Sequence, residues 1–362
     1  MSLNLENIDR VVGGETHIAD MNLTLEPGSF NVLLGRTLSG KTTLMRLMAG
    51  LDTPTRGRVL MNGQDVTGRS VRHRNVSMVY QQFINYPSLT VYDNIASPLK
   101  LAKVGRAEVD RRVRGIAEML HIEHLLDRQP LELSGGQQQR TAMGRALVKD
   151  ADVVLFDEPL VNLDYKLREE FREELRAVFS ERNCIAVYAT TEPAEALALG
   201  GNTAILHQGR LLQYGPTADV YHCPIDIRAA EMFSEPPINI VKGTLSGSEI
   251  SFDNTLHFPV GNDLSTLEPG EYRFGIRASH ISLTPRAKSD IEIHMIVDLA
   301  EISGSETFLH VHNEHFYMTV HLEGVHEFRV DSPVKLYFPA HKVYAFDHEG
   351  AVVHIPTHLR GI

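Results

Sequence analysis

The stretch GRTLSGKTT, residues 35–43, constrains this chain more than any other. It fits G-x-x-x-x-G-K-[ST], follows the apolar run FNVLLG (30–35) and opens a helical pattern that runs to Gly50. A strand, a glycine turn and a helix in that order make an anion cradle. Gly35 and Gly40 let the backbone wrap around phosphates, with N–H groups pointing inward at a helix N-terminus. Lys41 brings a positive charge to β- and γ-phosphates, the Thr42 hydroxyl can ligate Mg²⁺, and Thr43 adds a nearby hydroxyl. Ser39, inside the loop, is counted with the nucleotide-binding residues. The plain alternative, an ordinary glycine turn before a helix, does not account for this context.

A second run, VVLFDEP (153–159), delivers two acids at the C-terminal end of an apolar strand. Asp157 can hold a Mg²⁺ shell and Glu158 can polarise an attacking water. Alone, the pair would read as exposed acids at a strand end; beside a phosphate loop it reads as the other half of a nucleotide site.

The surrounding pattern agrees. VSMVY (76–80) and CIAVYAT (184–190) are further buried strands, and helical periodicity fills 107–120, 138–148 and 166–180. That alternation predicts a mainly parallel sheet flanked by helices. Beyond FSEPPINIVKG (233–243) the long helical patterns stop, and EYRFGIRA (271–278), TFLHVH (307–312), HFYMTVHL (315–322) and PVKLYFP (333–339) read as short strands. The boundary is expected near Pro236, giving an α/β domain over 1–235, with a helical subdomain at about 88–150, and a small barrel-like all-β module over 236–362.

The net charge of −11 argues against a general nucleic-acid binder. The basic clusters Arg69, Arg72, Arg74 and Arg111, Arg112, Arg114 read as solvated faces. Two cysteines, Cys184 and Cys223, make no disulfide framework and fit a reducing cytoplasm. The polar start MSLNLENIDR does not read as a signal peptide, and no apolar run is long enough to span a bilayer, so any membrane role is expected to be peripheral. His310 and His312 fall on one face of a strand, with His315 nearby; surface histidines are the better reading than a metal site.

LSGGQQQR (133–140) decides the class. With the two motifs above, it makes the chain resemble the ATP-binding cassette family of transport ATPases. The resemblance implies a P-loop α/β fold with a helical subdomain. It also implies a cradle of Ser134, Gly135, Gly136 and Gln137 that closes on the γ-phosphate of ATP held by a second ATPase subunit. Gln81, in VYQQFINYP (79–87), matches the glutamine that senses Mg²⁺ and attacking water, and Asp164, in LVNLDYKLR (160–168), matches an aspartate of the loop that crosses the dimer. GPTADVYHCP (215–224), PPINIV (236–241), GIRASHI (275–281) and EISGSETFLHV (301–311) resemble the sugar and polyol importer branch, with its regulatory OB-like (TOBE) domain. Within that branch, YQQFINYPSLTVYDNIASPL (80–99) and YATTEP (188–193) look most like the ATPases of glycerol-type importers. Membership of this branch implies ATP and Mg²⁺ as ligands, two membrane permease subunits and a solute-binding protein as partners, and a place on the cytoplasmic face of the membrane.

The chain departs from the family pattern at three places. Val12 stands where an aromatic ring usually stacks on adenine, and Val161 where serine is common. In YATTEPAEAL (188–197), Thr191 stands where the family carries a histidine that bridges to the γ-phosphate. Threonine is shorter and cannot carry charge. A helix-capping role would explain why it fits there. The expectation is an asymmetric pair of ATPases, a heterodimer with a homodimer as the alternative. A regulatory nucleotide-binding subunit with negligible hydrolysis remains an alternative, as does a DNA-repair or translation cassette protein. The latter reading lacks the expected tandem cassette or coiled-coil insertion.

Overall fold

The computed structural model describes residues 2–160, 165–247, 249–252, 256–259, 264 and 267–356. Two compact units divide the chain, Met1–Thr217 and Ala218–Ile362.

The first unit opens with β1 (Leu3–Val12), β2 (Glu15–Leu25) and β3 (Phe30–Leu34), then α1 (Lys41–Ala49), β4 (Arg56–Met61), β5 (Gln64–Asp65) and β6 (Val76–Val79). Three helices come next, α2 (Val91–Leu101), α3 (Arg106–Met119) and α4 (Gly135–Leu147). The unit ends with β7 (Val153–Asp157), α5 (Tyr165–Glu181), β8 (Ile185–Thr190), α6 (Pro193–Leu199), β9 (Asn202–His207) and β10 (Arg210–Pro216). The central sheet has the order β10-β9-β3-β8-β7-β6; all its pairs are parallel except β9 with β10. Every residue of β7 and β8 is buried, as expected of parallel strands covered on both faces. A second, antiparallel sheet, β2-β1-β4-β5, shares one apolar core with it, and Leu44, Met45, Leu47 and Met48 of α1 lie in that core.

Arg74 departs from its expected solvated place. It is buried, and its guanidinium donates to the carbonyls of Leu47 and Met48 in the last turn of α1 and to those of Val66 and Arg69. It caps the helix that starts at Lys41. Arg111, Arg112 and Arg114 do pair on the α3 surface, with Glu108, Asp110 and Asp150.

The segment between Gln81 and α2 is tied to α4. Buried Asn94 accepts from Tyr86 N–H and donates to the carbonyls of Tyr86, Leu89 and Thr90. Asn85 donates to the Gln138 carbonyl at 2.8 Å, and Arg145 donates to the Ile84 carbonyl while lying over the Tyr86 ring. At Gly144 a Cβ would stand 3.1 Å from Ile95, so this glycine lets α2 approach α4 closely.

A carboxylate fixes the turn that leaves β8. Glu195 of α6 is buried and accepts from the hydroxyls of Tyr188 (3.0 Å) and Thr190 (2.6 Å). The Thr190 hydroxyl in turn accepts from Glu192 N–H at 3.0 Å. The capping expected of Thr191 is not made: α6 has no side-chain cap bond, and the Thr190 hydroxyl holds the turn before it. The helix begins one step later than that reading requires, at Pro193 with Glu192 as N-cap, and Thr191 is exposed.

The second unit packs α7 (Thr217–His222) and α8 (Ile227–Met232) with β11 (Asn239–Ser246), β12 (Glu249–Phe252), β13 (Leu256–Pro259) and β14 (Gly270–Ile276). Its remaining strands are β15 (Asp290–Ser303), β16 (Glu306–His312), β17 (Tyr317–Glu323), β18 (Pro333–Pro339), β19 (Tyr344–Phe346) and β20 (Val352–His354). Two antiparallel sheets, β13-β12-β11-β14-β19-β20 and β17-β16-β15-β18, enclose one core rich in phenylalanine, consistent with an OB-like (TOBE) module. His310 and His312 face carboxylates, Glu301 and Asp298, across the strand pair.

The expected boundary near Pro236 moves to Thr217–Ala218 because α7 and α8 belong to this unit. Ala230 packs with Ile238, Tyr344 and Phe346. Arg277, 2% exposed, lies 3.9 Å from the centre of the Tyr221 ring and donates to the carbonyls of Tyr221 and Phe233 and the hydroxyl of Ser234.

Arg277→Ala is expected to cost the second unit about 3 kcal/mol, since it strips partners from buried carbonyls and an aromatic face. Urea unfolding measures this; an unchanged midpoint would refute it. A second test concerns Glu195, whose carboxyl burial raises above the ordinary 4.5. The folded chain then holds this proton more tightly than the unfolded chain. The stabilisation is full below 4.5 and is lost as pH rises through the raised value. Glu195→Gln is expected to remove that decline, and parallel pH–stability curves for the two proteins would contradict the account.

Candidate functional site

The carboxyl ends of β3, β7 and β8 lie level. Leu34 pairs with Thr190, and Asp157 with Ala189. The register continues one step past the strands, where Gly35 N–H donates to the Thr190 carbonyl at 3.3 Å and Glu158 N–H to the Ala189 carbonyl at 3.1 Å. The phosphate loop, the two acids and Thr191 thus leave the sheet side by side, at the edge where open α/β sheets bind ligands.

The loop has no room for side chains at its two glycines. A Cβ on Gly35 would stand 2.4 Å from Ser39 Oγ and 2.6 Å from the Leu206 carbonyl. Gly40 has φ +101°, and its Cβ would meet Ile18 at 2.8 Å. Ser39 is buried, and its Oγ has no hydrogen-bond partner among the described residues. Lys41, 5% exposed, donates from Nζ to the carbonyls of Gly35 (2.7 Å) and Arg36 (3.3 Å), and sits 3.3 Å from Glu158 Oε1. The other Glu158 oxygen accepts from Gln81 Nε2 at 3.1 Å. Glu158 has φ +46°, a left-handed backbone that costs a non-glycine residue about 1 kcal/mol. That turn sends its side chain to Lys41 and Gln81 while Asp157 stays buried.

Asp157 accepts from the Thr42 hydroxyl at 3.1 Å. Burial pushes its carboxyl above the usual range. The Thr42 hydrogen bond opposes that rise, as do the charges of Lys41 and Arg46, while the Glu158 charge adds to it. Thr43 is half-buried in the first turn of α1.

Val12 ends β1, 43% exposed. Ser134 caps α4 in a reciprocal box: its Oγ accepts from Gln137 N–H, and Gln137 Oε1 accepts from Ser134 N–H at 3.0 Å. Gly135 is exposed, with nothing within 4 Å of where a Cβ would be. No hydrogen bond or ion pair among the described residues joins Ser134 or Gln137 to Lys41, Asp157, Glu158 or Gln81. The structure therefore assembles one group from the phosphate loop, the acids and Gln81, and presents the Ser134 cradle separately. Asp164 and Val161 lie outside the described residues. Sequence reasoning assigned no site role to Thr190, Tyr188 or Glu195, whose hydrogen bonds hold the turn beside the site. The only available signal was the polar Glu195 four residues after Thr191 in an otherwise apolar helix.

These residues fit a nucleotide's phosphates and a hard cation. The loop admits only glycine at two turns, Ser39 offers an unsatisfied buried hydroxyl, and Thr42 with Asp157 supplies oxygen donors of the kind Mg²⁺ takes.

Comparison with known proteins agrees. The family described as "ABC transporter" matches residues 18–161. An sn-glycerol-3-phosphate import ATP-binding protein of Rhizobium etli is 37% identical, covering 85% of this chain and 86% of its own length. A trehalose/maltose import ATP-binding protein of Thermococcus litoralis is 33% identical over 95% of this chain and 97% of its own. A xylose/arabinose import ATP-binding protein of Haloferax volcanii is 34% identical over 98% and 96%. Among solved structures, the dimeric post-hydrolysis state of an ATP-binding cassette bound to ADP and Pi superposes with a TM-score of 0.54. It is 27% identical and covers 59% of this chain and 98% of its own. This chain belongs to the ABC transporter family and is one of its ATP-binding, ATP-hydrolysing subunits.

Proposed function

We propose that the chain powers import of a small solute, a sugar or a polyol such as glycerol. It would do so as one of two ATPase subunits under two membrane permeases, on the cytoplasmic face of the membrane, with a solute-binding protein delivering cargo. The relatives named for glycerol phosphate, maltose and pentose import support this reading. The observation that carries the chemistry is the convergence of Lys41, Glu158 and Gln81 beside the Thr42–Asp157 pair. Exposed Ile84 and Tyr86, in the segment after Gln81, offer apolar surface for a permease.

In this reading the N–H groups of residues 35–43 and Lys41 hold the β- and γ-phosphates, which replace the Gly35 and Arg36 carbonyls as partners of Nζ. Ser39 donates to a phosphate oxygen. Thr42, Asp157 and Gln81 would hold Mg²⁺, which neutralises charge on the phosphates when bound. Glu158 orients and polarises the attacking water, with Gln81 fixing one of its oxygens. Catalysis is mostly positioning and charge. Ser134, Gly135, Gly136 and Gln137 cap the γ-phosphate of a nucleotide on the second ATPase, and Asp164 belongs to the segment crossing between subunits.

The two sites of the pair are unequal in this proposal. Thr191 follows Thr190, whose carbonyl is held by the first residue of the phosphate loop, so its position suits a contact with the γ-phosphate. Its hydroxyl makes no hydrogen bond among the described residues, and it has neither the reach nor the charge of an imidazole. Val12 presents no π face to an adenine. A partner that keeps the histidine would carry most turnover, completed by this chain's Ser134 cradle.

Thr191→His is expected to raise turnover at this chain's site about tenfold or more, equivalent to roughly 1.4 kcal/mol of barrier. Glu158→Gln in this chain is expected to lower the ATPase rate of the assembled importer less than the matching change in the partner. Steady-state ATPase assays decide both. Equal losses, or a full-rate ATPase made of this chain alone, would overturn the asymmetry. No measurable hydrolysis when only this chain's site is intact would favour a regulatory subunit that binds ATP without consuming it.

A further inference from the structure

We propose that the second unit carries a binding site for a small phosphate-bearing molecule, in a groove on the outer face of β11 and β14. The strand register sets Lys242 directly opposite Arg273, and Thr244 opposite Glu271. Their neighbours Val241, Leu245 and Phe274 lie in the core, so these four side chains share the outward face. Like charges placed directly opposite on a ladder repel. Neither Lys242 nor Arg273 has an ion pair or a side-chain hydrogen bond among the described residues.

The other sheet of the same unit shows how an outward-facing cation is paired internally. There His294 stands opposite Lys335, and Glu292 lies between them, with Oε1 2.8 Å from the imidazole and 2.9 Å from the ammonium. No such carboxylate bridges Lys242 and Arg273 among the described residues. An external anion would do what Glu292 does internally.

The groove measures about 340 Å³ and is lined also by His348, from the turn after β19, whose nearest carboxylate, Glu349, is 3.9 Å away. That volume lies within the range of small-molecule sites. The chain's net charge of −11 gives no general reason for cations to gather. Arginine supplies a planar fork of donors and lysine a compact charge, a combination that suits a tetrahedral phosphate dianion. Thr244 and Glu271 at the other end suit neutral hydroxyl groups and repel a second anionic group. The shared chemistry is thus one phosphate, free or esterified to a hydroxylated body. The site does not depend on the phosphate loop or on the transport reading.

Calorimetric titration of the full chain tests this, with ADP saturating the phosphate loop. Inorganic phosphate and glucose 6-phosphate are the probes, and potassium chloride at matched ionic strength is the control. One binding event per chain is expected, insensitive to chloride. It should weaken about tenfold in Lys242→Gln and about a hundredfold in Lys242→Gln/Arg273→Gln. Tighter binding of glucose 6-phosphate, with the difference lost in Glu271→Ala, supports the site and identifies the ester as its ligand. Equal binding of the two supports the site and identifies the free anion. Absence of saturable binding beyond ADP, an equal response to chloride, or undiminished binding in the folded double variant would overturn the proposal.

Discussion

Gly35 donates its N–H to Thr190 and Glu158 donates its N–H to Ala189, so consecutive carbonyls of one central strand hold the loops leaving its two neighbours. Each bond contributes on the order of 1 kcal/mol, which is small for a unit of this size. Their weight is positional. They extend the parallel register past the last strand residue, so the phosphate loop and the second acid leave the sheet at fixed height and spacing. The left-handed turn at Glu158 is tolerable because the preceding strand is buried on both faces and its own N–H is held.

The charges are set by the same placement. Asp157 is buried deeply enough that its ionised form is penalised, and Lys41 and Arg46 offset only part of the penalty. A divalent cation is the natural remedy for a buried carboxylate with a threonine hydroxyl beside it. Lys41, meanwhile, is held by two carbonyls and one carboxylate, all weaker partners than a phosphate chain. Lys41 is paired at rest and better paired by ligand, whereas the buried Ser39 hydroxyl has no partner among the described residues until one binds.

Much of this was legible in the sequence because local chemistry dictated it. A loop that needs glycine at residues 35 and 40 admits few other readings, and an apolar run ending in two acids can hardly be a surface strand. The four expected strands of the α/β unit and the helices after residues 106 and 135 formed within a few residues of their predicted places. What stayed hidden were contacts between residues far apart, or polar groups turned inward. Arg74 looked like part of a basic surface because sequence cannot show that unpaired helix carbonyls lie beside it. Thr191 looked like the cap because sequence cannot show that Glu195, on the next helix, draws the Thr190 hydroxyl into the turn and leaves α6 to start at Pro193. The boundary was misplaced because paired prolines mark a break in chain direction, whereas the unit is defined by what Arg277 and Tyr344 hold.

The tie between the segment after Gln81 and α4 has a mechanical consequence. Asn85 and Arg145 hold that segment along a thirteen-residue helix, about 20 Å long: Arg145 lies near its C-terminal end, and the Gln138 carbonyl that takes Asn85 lies one turn from the Ser134 cradle. Close packing at Gly144 leaves the helix little freedom to bend independently of its neighbours. The segment after Gln81 and the Ser134 cradle thus belong to one packed body. A displacement of that segment is carried along the helix to the Ser134 cradle with little lost to bending.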